Sequence, residues 1–400
     1  MICIRNSVVH RSGGRVRLST AVDAPSELGL PRELWLEVPE RFEGFVSESA
    51  DGPLAAVLLR AMAANEPVQI DGGVSPRLSD ALHVIQTIHW RWDRRSHRVT
   101  VTPGRTSLPA ADRRGDVGLF FSGGVDSLYT LHQNLAQQQP AREERIRHLL
   151  FVHWLGHEAE NPVLRAELMD RFERLAVQVD CSLMPLRTNV AQFCRAPLDW
   201  GRHFHGAALA FVALSLGHGL GRVFISSSDP YEDLFIPWGT HPLLDPLWST
   251  EATEIVHFGN EADRLDKLRA IQDWEPGMRA LSVCQRNTAG ADNCCRCEKC
   301  LRTMMMLHIT GGLRNAPTFP LPLDPKAVAR LRITFGEAED ANSLPILRNL
   351  TNSPYDRALK RALLKARRRG RHPIIRAIKL IDEECLYGMI RRTHDKLTGR

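Results

Sequence analysis

The sequence predicts an α/β fold, an open parallel sheet with helices on both faces, preceded by a small α+β N-terminal domain and followed by a four-cysteine metal-binding loop. Three observations carry that expectation. From Val117 onward, short apolar runs alternate with longer amphipathic ones, as in strands joined by crossover helices. A Ser-Gly-Gly turn, Ser122 to Gly124, stands directly between the first such run and the first such helix. Five of the nine cysteines, Cys284, Cys294, Cys295, Cys297 and Cys300, fall within seventeen residues, a spacing for metal ligands rather than for a disulfide framework.

Three segments are expected: residues 1–112 as the small domain with its linker, 113–320 as the sheet domain including the cysteine loop 284–300, and 321–400 as a basic, mainly helical extension. In the first, strands at Leu34 to Val38 and Arg98 to Thr102 accompany helices around Leu54 to Ala64 and Pro76 to Ile88. Pro103 to Arg114, rich in Pro, Gly, Ser and charge but without periodicity, reads as the linker. In the second, strands fall at Val117 to Phe121, His148 to His153, Ser182 to Leu186 and Val223 to Ser226. Helices fit between them at Asp126 to Gln138, with Leu128, Leu131 and Leu135 on one face, at Asn161 to Val177 and at His203 to Leu216. Asn260 is placed to cap a further helix. A helix after the cysteines ends near Gly311-Gly312.

With 400 residues, 43% hydrophobic and 24% charged, the chain has the make-up of a globular protein, and disorder is not its default state. Its longest apolar stretch, Ala207 to Leu216, is about half of what a membrane span needs, and Met1 to Arg5 has no apolar signal core. The expectation is a cytoplasmic protein with no membrane partner. The formal charge of +6 is uneven, because residues 354–400 hold 14 Lys+Arg against 5 Asp+Glu. Such a region attracts nucleic acid or another acidic partner, or forms a solvated helical face. A homodimer or a biosynthetic partner protein stays open.

A phosphate loop needs a sharp turn whose backbone amides reach an anion, and Gly123-Gly124 supplies it. Ser122 and Ser127 add hydroxyl donors, and the helix beginning at Val125 or Asp126 aims its positive dipole end at the same place. No lysine follows the glycines, so this is not a Walker A loop. The run Ser122-Gly123-Gly124-Val125-Asp126-Ser127 resembles the fingerprint of the PP-loop ATP-pyrophosphatase superfamily, Ser-Gly-Gly-x-Asp-Ser after a buried strand. That resemblance implies cleavage of ATP between its α and β phosphates, a magnesium-bound pyrophosphate leaving group and an adenylylated intermediate. It also implies that Ser122, Gly123, Gly124 and Ser127 hold pyrophosphate and that Asp126 helps place Mg2+.

Cys284, Cys294, Cys297 and Cys300 offer four thiolates to one ion, as a closed structural zinc site requires. Cys295 is the spare or a substitute for Cys294, and an iron-sulfur cluster is the alternative occupant. Lys299 and Arg302 offset the thiolate charge. Loop and cysteines together, over roughly Gly118 to Leu313, resemble the 7-cyano-7-deazaguanine synthase branch, which implies conversion of a carboxylate to an amide and then a nitrile with ammonia and ATP. The N-terminal segment, the basic extension and the Trp-, Pro- and His-rich stretch Asp229 to Thr250 depart from that branch.

Ligands of parallel sheets lie beyond the strands' carboxyl ends. This selects His153 and Trp154 to border the adenine, or else to pack the sheet edge. It also selects Ser227, Ser228 and Asp229 to contact substrate, or else to form a plain turn. Pro237 to Ser249 reads as a substrate lid. Arg264 and Lys267, three apart on one helix face, are placed to neutralise phosphate charge, with Asp126, Ser127 and Lys267 as the catalytic set. The function expected is an ATP-dependent ligase or amidating enzyme that adenylylates a small carboxylate and passes it to a nitrogen nucleophile. A nucleobase or tRNA sulfurtransferase, or a nucleotide-binding component of a larger assembly without turnover, are the rivals.

Overall fold

Apolar residues on alternate sides of each strand are the basis of the architecture in the computed structural model, which describes residues 1–106, 115–136, 144–154, 162–284, 293–331, 333 and 337–370. The strands are β1 Ile2–Ser12, β2 Arg15–Asp23, β3 Glu33–Pro39, β4 Val68–Val74, β5 Val101–Thr106, β6 Asp116–Phe120, β7 Ile146–Trp154, β8 Ser182–Thr188, β9 Leu220–Ser226 and β10 Glu254–Phe258. The helices are α1 Asp51–Ala64, α2 Pro76–Trp92, α3 Val125–Ala136, α4 Pro162–Gln178, α5 His205–Leu214, α6 Arg264–Ile271, α7 Glu275–Ala280, α8 Glu298–Thr310, α9 Pro325–Arg330, α10 Glu337–Asn349 and α11 Pro354–Gly370.

The strands form one sheet in the order β10-β9-β6-β7-β8-β3-β2-β1-β4-β5. From β10 to β8 every neighbour is parallel, as the alternation after Val117 predicts. Leu149, Leu183 and Phe224 face α3, α4, α6 and α8, whereas their neighbours Leu150, Met184 and Ile225 face α1 and α5. Both faces are therefore covered by helices, and each strand's period of two divides its side chains between two cores.

The strands of residues 1–106 do not build a sheet of their own but continue the one formed by the parallel block. Strand β3 pairs antiparallel with β8, and α1 lies in the same core as α5. A Cβ on Gly52 would sit 2.5 Å from Ser215 Oγ and 3.0 Å from Phe211 O, so the two helices approach at a point where a side chain does not fit. The seam is stitched further by Asn189, whose Oδ1 accepts from Trp35 N at 2.9 Å while its Nδ2 donates to Glu33 O at 2.7 Å. The expected linker begins as β5, which runs through Thr106; residues 107–114 lie outside the described residues.

Two further expectations change. Asn260 does not cap α6; Asp263 does, accepting from Asp266 N at 2.8 Å. Pro237 to Ser249, expected as a lid, packs largely into the core, although Leu243 and Pro246 stay exposed. Trp248 and Asp245 are buried, His257 Nδ1 lies 2.7 Å from Asp245 Oδ2, and the His241 ring meets Trp92 edge-on at 5.0 Å. The extension is helical over α9 to α11, and Leu359, Leu363 and Ala366 of α11 join the core around α8. Residues 371–400 lie outside the described residues. No helix among the described residues is long and apolar enough to cross a membrane.

Candidate phosphate-binding crevice and cysteine cluster

The chain leaves β6 and continues next to β7 on one side, then returns to β9 on the other. This places the topological switch point, where open parallel sheets bind ligands, at the carboxyl ends of β6 and β9. Ser122 to Gly124 follows β6 at that point. Gly123 takes φ +71°, and a Cβ on it would lie 2.4 Å from the Phe172 ring, so both backbone and space demand glycine. The turn is held by its own hydroxyls: Gly124 N donates to Ser122 Oγ at 3.2 Å, and Ser127 Oγ donates to Gly124 O at 3.0 Å. Val125 is buried at the start of α3. From outside, Ser282 N donates to Gly123 O at 2.8 Å.

Charge converges on this turn. Arg264, the first residue of α6, donates through Nη2 to Asp126 Oδ2 at 3.0 Å, and Lys267 Nζ lies 3.5 Å from Asp126 Oδ1. The same two cations reach the β9 loop, Lys267 donating to Ser227 O at 2.7 Å and Arg264 to Ser228 O at 3.3 Å. Lys267 is 1% exposed, so its ammonium is held wholly by these partners. Burial disfavours ionised Asp126, but Arg264 and then Lys267 outweigh it and keep its carboxyl below the ordinary range. For Lys267 burial wins over Asp126, and the ammonium is held below the usual lysine value. Lys299, from the first turn of α8, is lowered by burial and then by the charges of Arg302 and Arg264. Arg264 and Lys267 thus contact the first turn of α3 directly, and Lys299 and Arg302 of α8 lie near enough to feel the charges of Asp126 and Arg264. Polyanionic ligands suit that arrangement.

Of the residues expected after β9, Ser227 is buried with its hydroxyl spent on the turn, donating to Asp229 O at 2.6 Å and accepting from Asn260 Nδ2 at 2.8 Å. Burial raises the carboxyl of Asp229, against the nearby Arg264. His153 and Trp154 do not lie beyond the end of β7 but within it, in register with Arg187 and Thr188 of β8. The His153 ring stands edge-on to Phe151 at 4.6 Å; the Trp154 side chain lies outside the described residues.

The Sγ atoms of Cys284, Cys294, Cys297 and Cys300 all lie within 4.8 Å of one another, Cys294 and Cys300 at 3.9 Å. Tetrahedral zinc with Zn–S near 2.3 Å separates its sulfurs by about 3.8 Å, so four thiolates so placed fit a single ion. Amides of the turn point at two of them, Cys297 N to Cys294 Sγ at 3.2 Å and Cys300 N to Cys297 Sγ at 3.4 Å. Cys295 is turned away, with φ +53° and its Sγ donating to Asn293 O at 3.3 Å. The alternative between Cys294 and Cys295 is thereby settled in favour of Cys294. Residues 285–292 lie outside the described residues.

The residues that sequence reasoning missed are those that join the two sites. Asn293, fully buried, accepts from Val283 N at 2.9 Å and donates to Leu281 O at 3.0 Å and Thr318 Oγ1 at 3.0 Å. It thereby fixes the strap that carries Ser282. A backbone bond such as Ser282 N to Gly123 O leaves no mark in side-chain identity, whereas an asparagine immediately before a cysteine pair was a legible cue. Set against known proteins, the chain matches no family model, no curated protein and no solved structure.

Proposed function

We propose that this chain binds ATP in the crevice between β6 and β9, cleaves it between the α and β phosphates, and adenylylates a small carboxylate that a nitrogen nucleophile then attacks. The observation that carries the reading is the convergence of Arg264 and Lys267 on Asp126, within the Ser122–Ser127 turn at the switch point of the sheet. Backbone amides of Gly124 and Val125 and the hydroxyls of Ser122 and Ser127 receive the β and γ phosphates, exchanging their present bonds within the turn for bonds to the ligand. Arg264 and Lys267 stabilise the charge that accumulates on the departing pyrophosphate. Asp126 keeps both cations aimed into the crevice, and together with Asp229 it is the carboxylate available to Mg2+, which when bound neutralises the leaving group. Catalysis is then mainly positioning and electrostatics.

The four cysteines are read as a structural zinc site, closed to water, that holds the fold beside the crevice and takes no part in the chemistry. Four sulfurs converging on one point favour a single ion over an iron-sulfur core, in which the thiolates are shared among several irons. The sulfurtransferase rival loses its cluster by that argument, and a purified protein should be colourless with about one zinc per chain by metal analysis.

The test uses α-labelled ATP with Mg2+ and a panel of carboxylic acids, separating AMP from ADP. Carboxylate-stimulated AMP is the expected product, and ADP in its place sinks the proposal. Asp126→Ala should abolish AMP while leaving pyrophosphate binding by Arg264 and Lys267 measurable, because the variant removes a carboxylate and keeps both cations. Loss of both would point to a collapsed crevice instead.

A further inference from the structure

The helix α11 is sharply two-sided. Leu359, Ala362, Leu363 and Ala366 are buried against the core around α8, while Arg357, Lys360, Arg361, Lys365, Arg368 and Arg369 are exposed on the opposite side. Among the described residues none of these six pairs with a carboxylate; the bonds recorded for Arg357, Arg361 and Arg369 run to backbone carbonyls. At a rise of 1.5 Å per residue, Arg357 to Arg369 spans roughly 18 Å, a straight and rigid cationic stripe. Asp356, the acidic residue of the first turn, is buried and occupied with His308 Nε2 at 2.7 Å, so it does not dilute the stripe.

We infer that this face docks the phosphate backbone of a double-helical nucleic acid. Regularly spaced cations on a rigid rod complement regularly spaced phosphates, and arginine, four of the six, forms forked bonds to phosphate oxygens. The stripe carries no aromatic side chain on which unpaired bases would stack, which argues against a single strand. Of the large apolar side chains of α11 only Leu364 and Tyr355 stay exposed, and Tyr355 is tied to Leu323 O and the His308 ring, which argues against insertion into a lipid surface. Contacts of this kind position a duplex without reading its sequence or its sugar. The inference stands independently of the ATP reading.

The experiment is fluorescence anisotropy of the full chain with short RNA and DNA duplexes of unrelated sequence, titrated in KCl from about 50 to about 200 mM. Both duplexes should bind, with affinity falling roughly 500-fold over that range if about five phosphates are neutralised. Arg361→Gln with Arg368→Gln, both at exposed positions, should flatten the slope of log affinity against log salt by about 2 while leaving thermal unfolding unchanged. Absence of duplex binding at the lowest salt overturns the proposal. An unchanged slope in the double variant overturns it too, since cations elsewhere would then be responsible. Stronger binding to phosphatidylserine vesicles, or to a single strand, than to either duplex assigns the stripe another partner.

Discussion

Lys267 is the residue on which the crevice's electrostatics turn. Its ammonium is buried, bonded to Ser227 O and close to Asp126, yet burial keeps its pKa below the ordinary lysine value. Because the folded value is depressed, neutralisation sets in at lower pH than for a free lysine. A bound polyanion favours the protonated form. If the crevice holds pyrophosphate as proposed, its affinity measured calorimetrically should therefore weaken as pH rises toward the ordinary lysine range, beginning earlier than for a free lysine, and Lys267→Met should bind more weakly and lose most of that dependence. A pH-independent affinity in the wild-type chain would show that Lys267 does not face the anion. The pairing of Lys267 with Arg264 on one helix face was legible from their spacing. Their partner was not, since Asp126 lies 138 residues from Arg264 and only the fold brings them together.

At the scale of elements, the docking of α11 depends on one carboxylate. Asp356 accepts from Thr351 N at 2.7 Å, from the Thr351 hydroxyl and from His308 of α8. Burial raises its carboxyl, but these hydrogen bonds and the His308 charge prevail and bring it down from 3.8 to about 2. A folded value below the unfolded one means that the stabilisation is complete above pH 3.8 and is lost as pH falls through about 2. That window is worth at most about 2 kcal/mol, less where solvent screens the carboxylate. Asp356→Asn should lower the urea midpoint at neutral pH, and the difference from wild type should shrink on acidification through this window; a constant difference would assign the effect to packing. Element legibility follows burial in the same way. Strands β6 to β9, covered on both faces, read as apolar runs, whereas β10 and the β1–β2 hairpin were missed because His257, Arg11 and Arg17 interrupt the run. The Gly13-Gly14 turn of that hairpin was a usable signal. The stretch Pro237 to Ser249 was misread because Trp248 and His241 look like loop aromatics until α2 and β10 enclose them.

At the scale of the whole molecule, a single sheet crosses from the N-terminal strands to the parallel block, and the core on one of its faces draws on both halves. Helix α1, buried along most of its length, shields α5 from water. The chain should accordingly unfold in one calorimetric transition, and residues 115–400 expressed alone should fail to give a folded, soluble product, since the apolar surface of α5 would be laid bare. Two separate transitions would instead restore an independent N-terminal unit. Sequence patterning distinguished the two halves by their strand style but carried no sign of the β3–β8 seam, whose bonds are few and largely involve the backbone.

The bond from Ser282 N to Gly123 O ties the phosphate turn to the strap that runs directly into Cys284. Were the two sites to take the ligands proposed for them, reciprocity would hold: by whatever factor an ion among the cysteines changes the hold on a nucleotide, the nucleotide must change the hold on that ion. If both proposed ligands bind and the strut couples their sites, zinc affinity measured by competition with a chelator should change when nucleotide is saturating, by the same factor as nucleotide affinity changes with zinc.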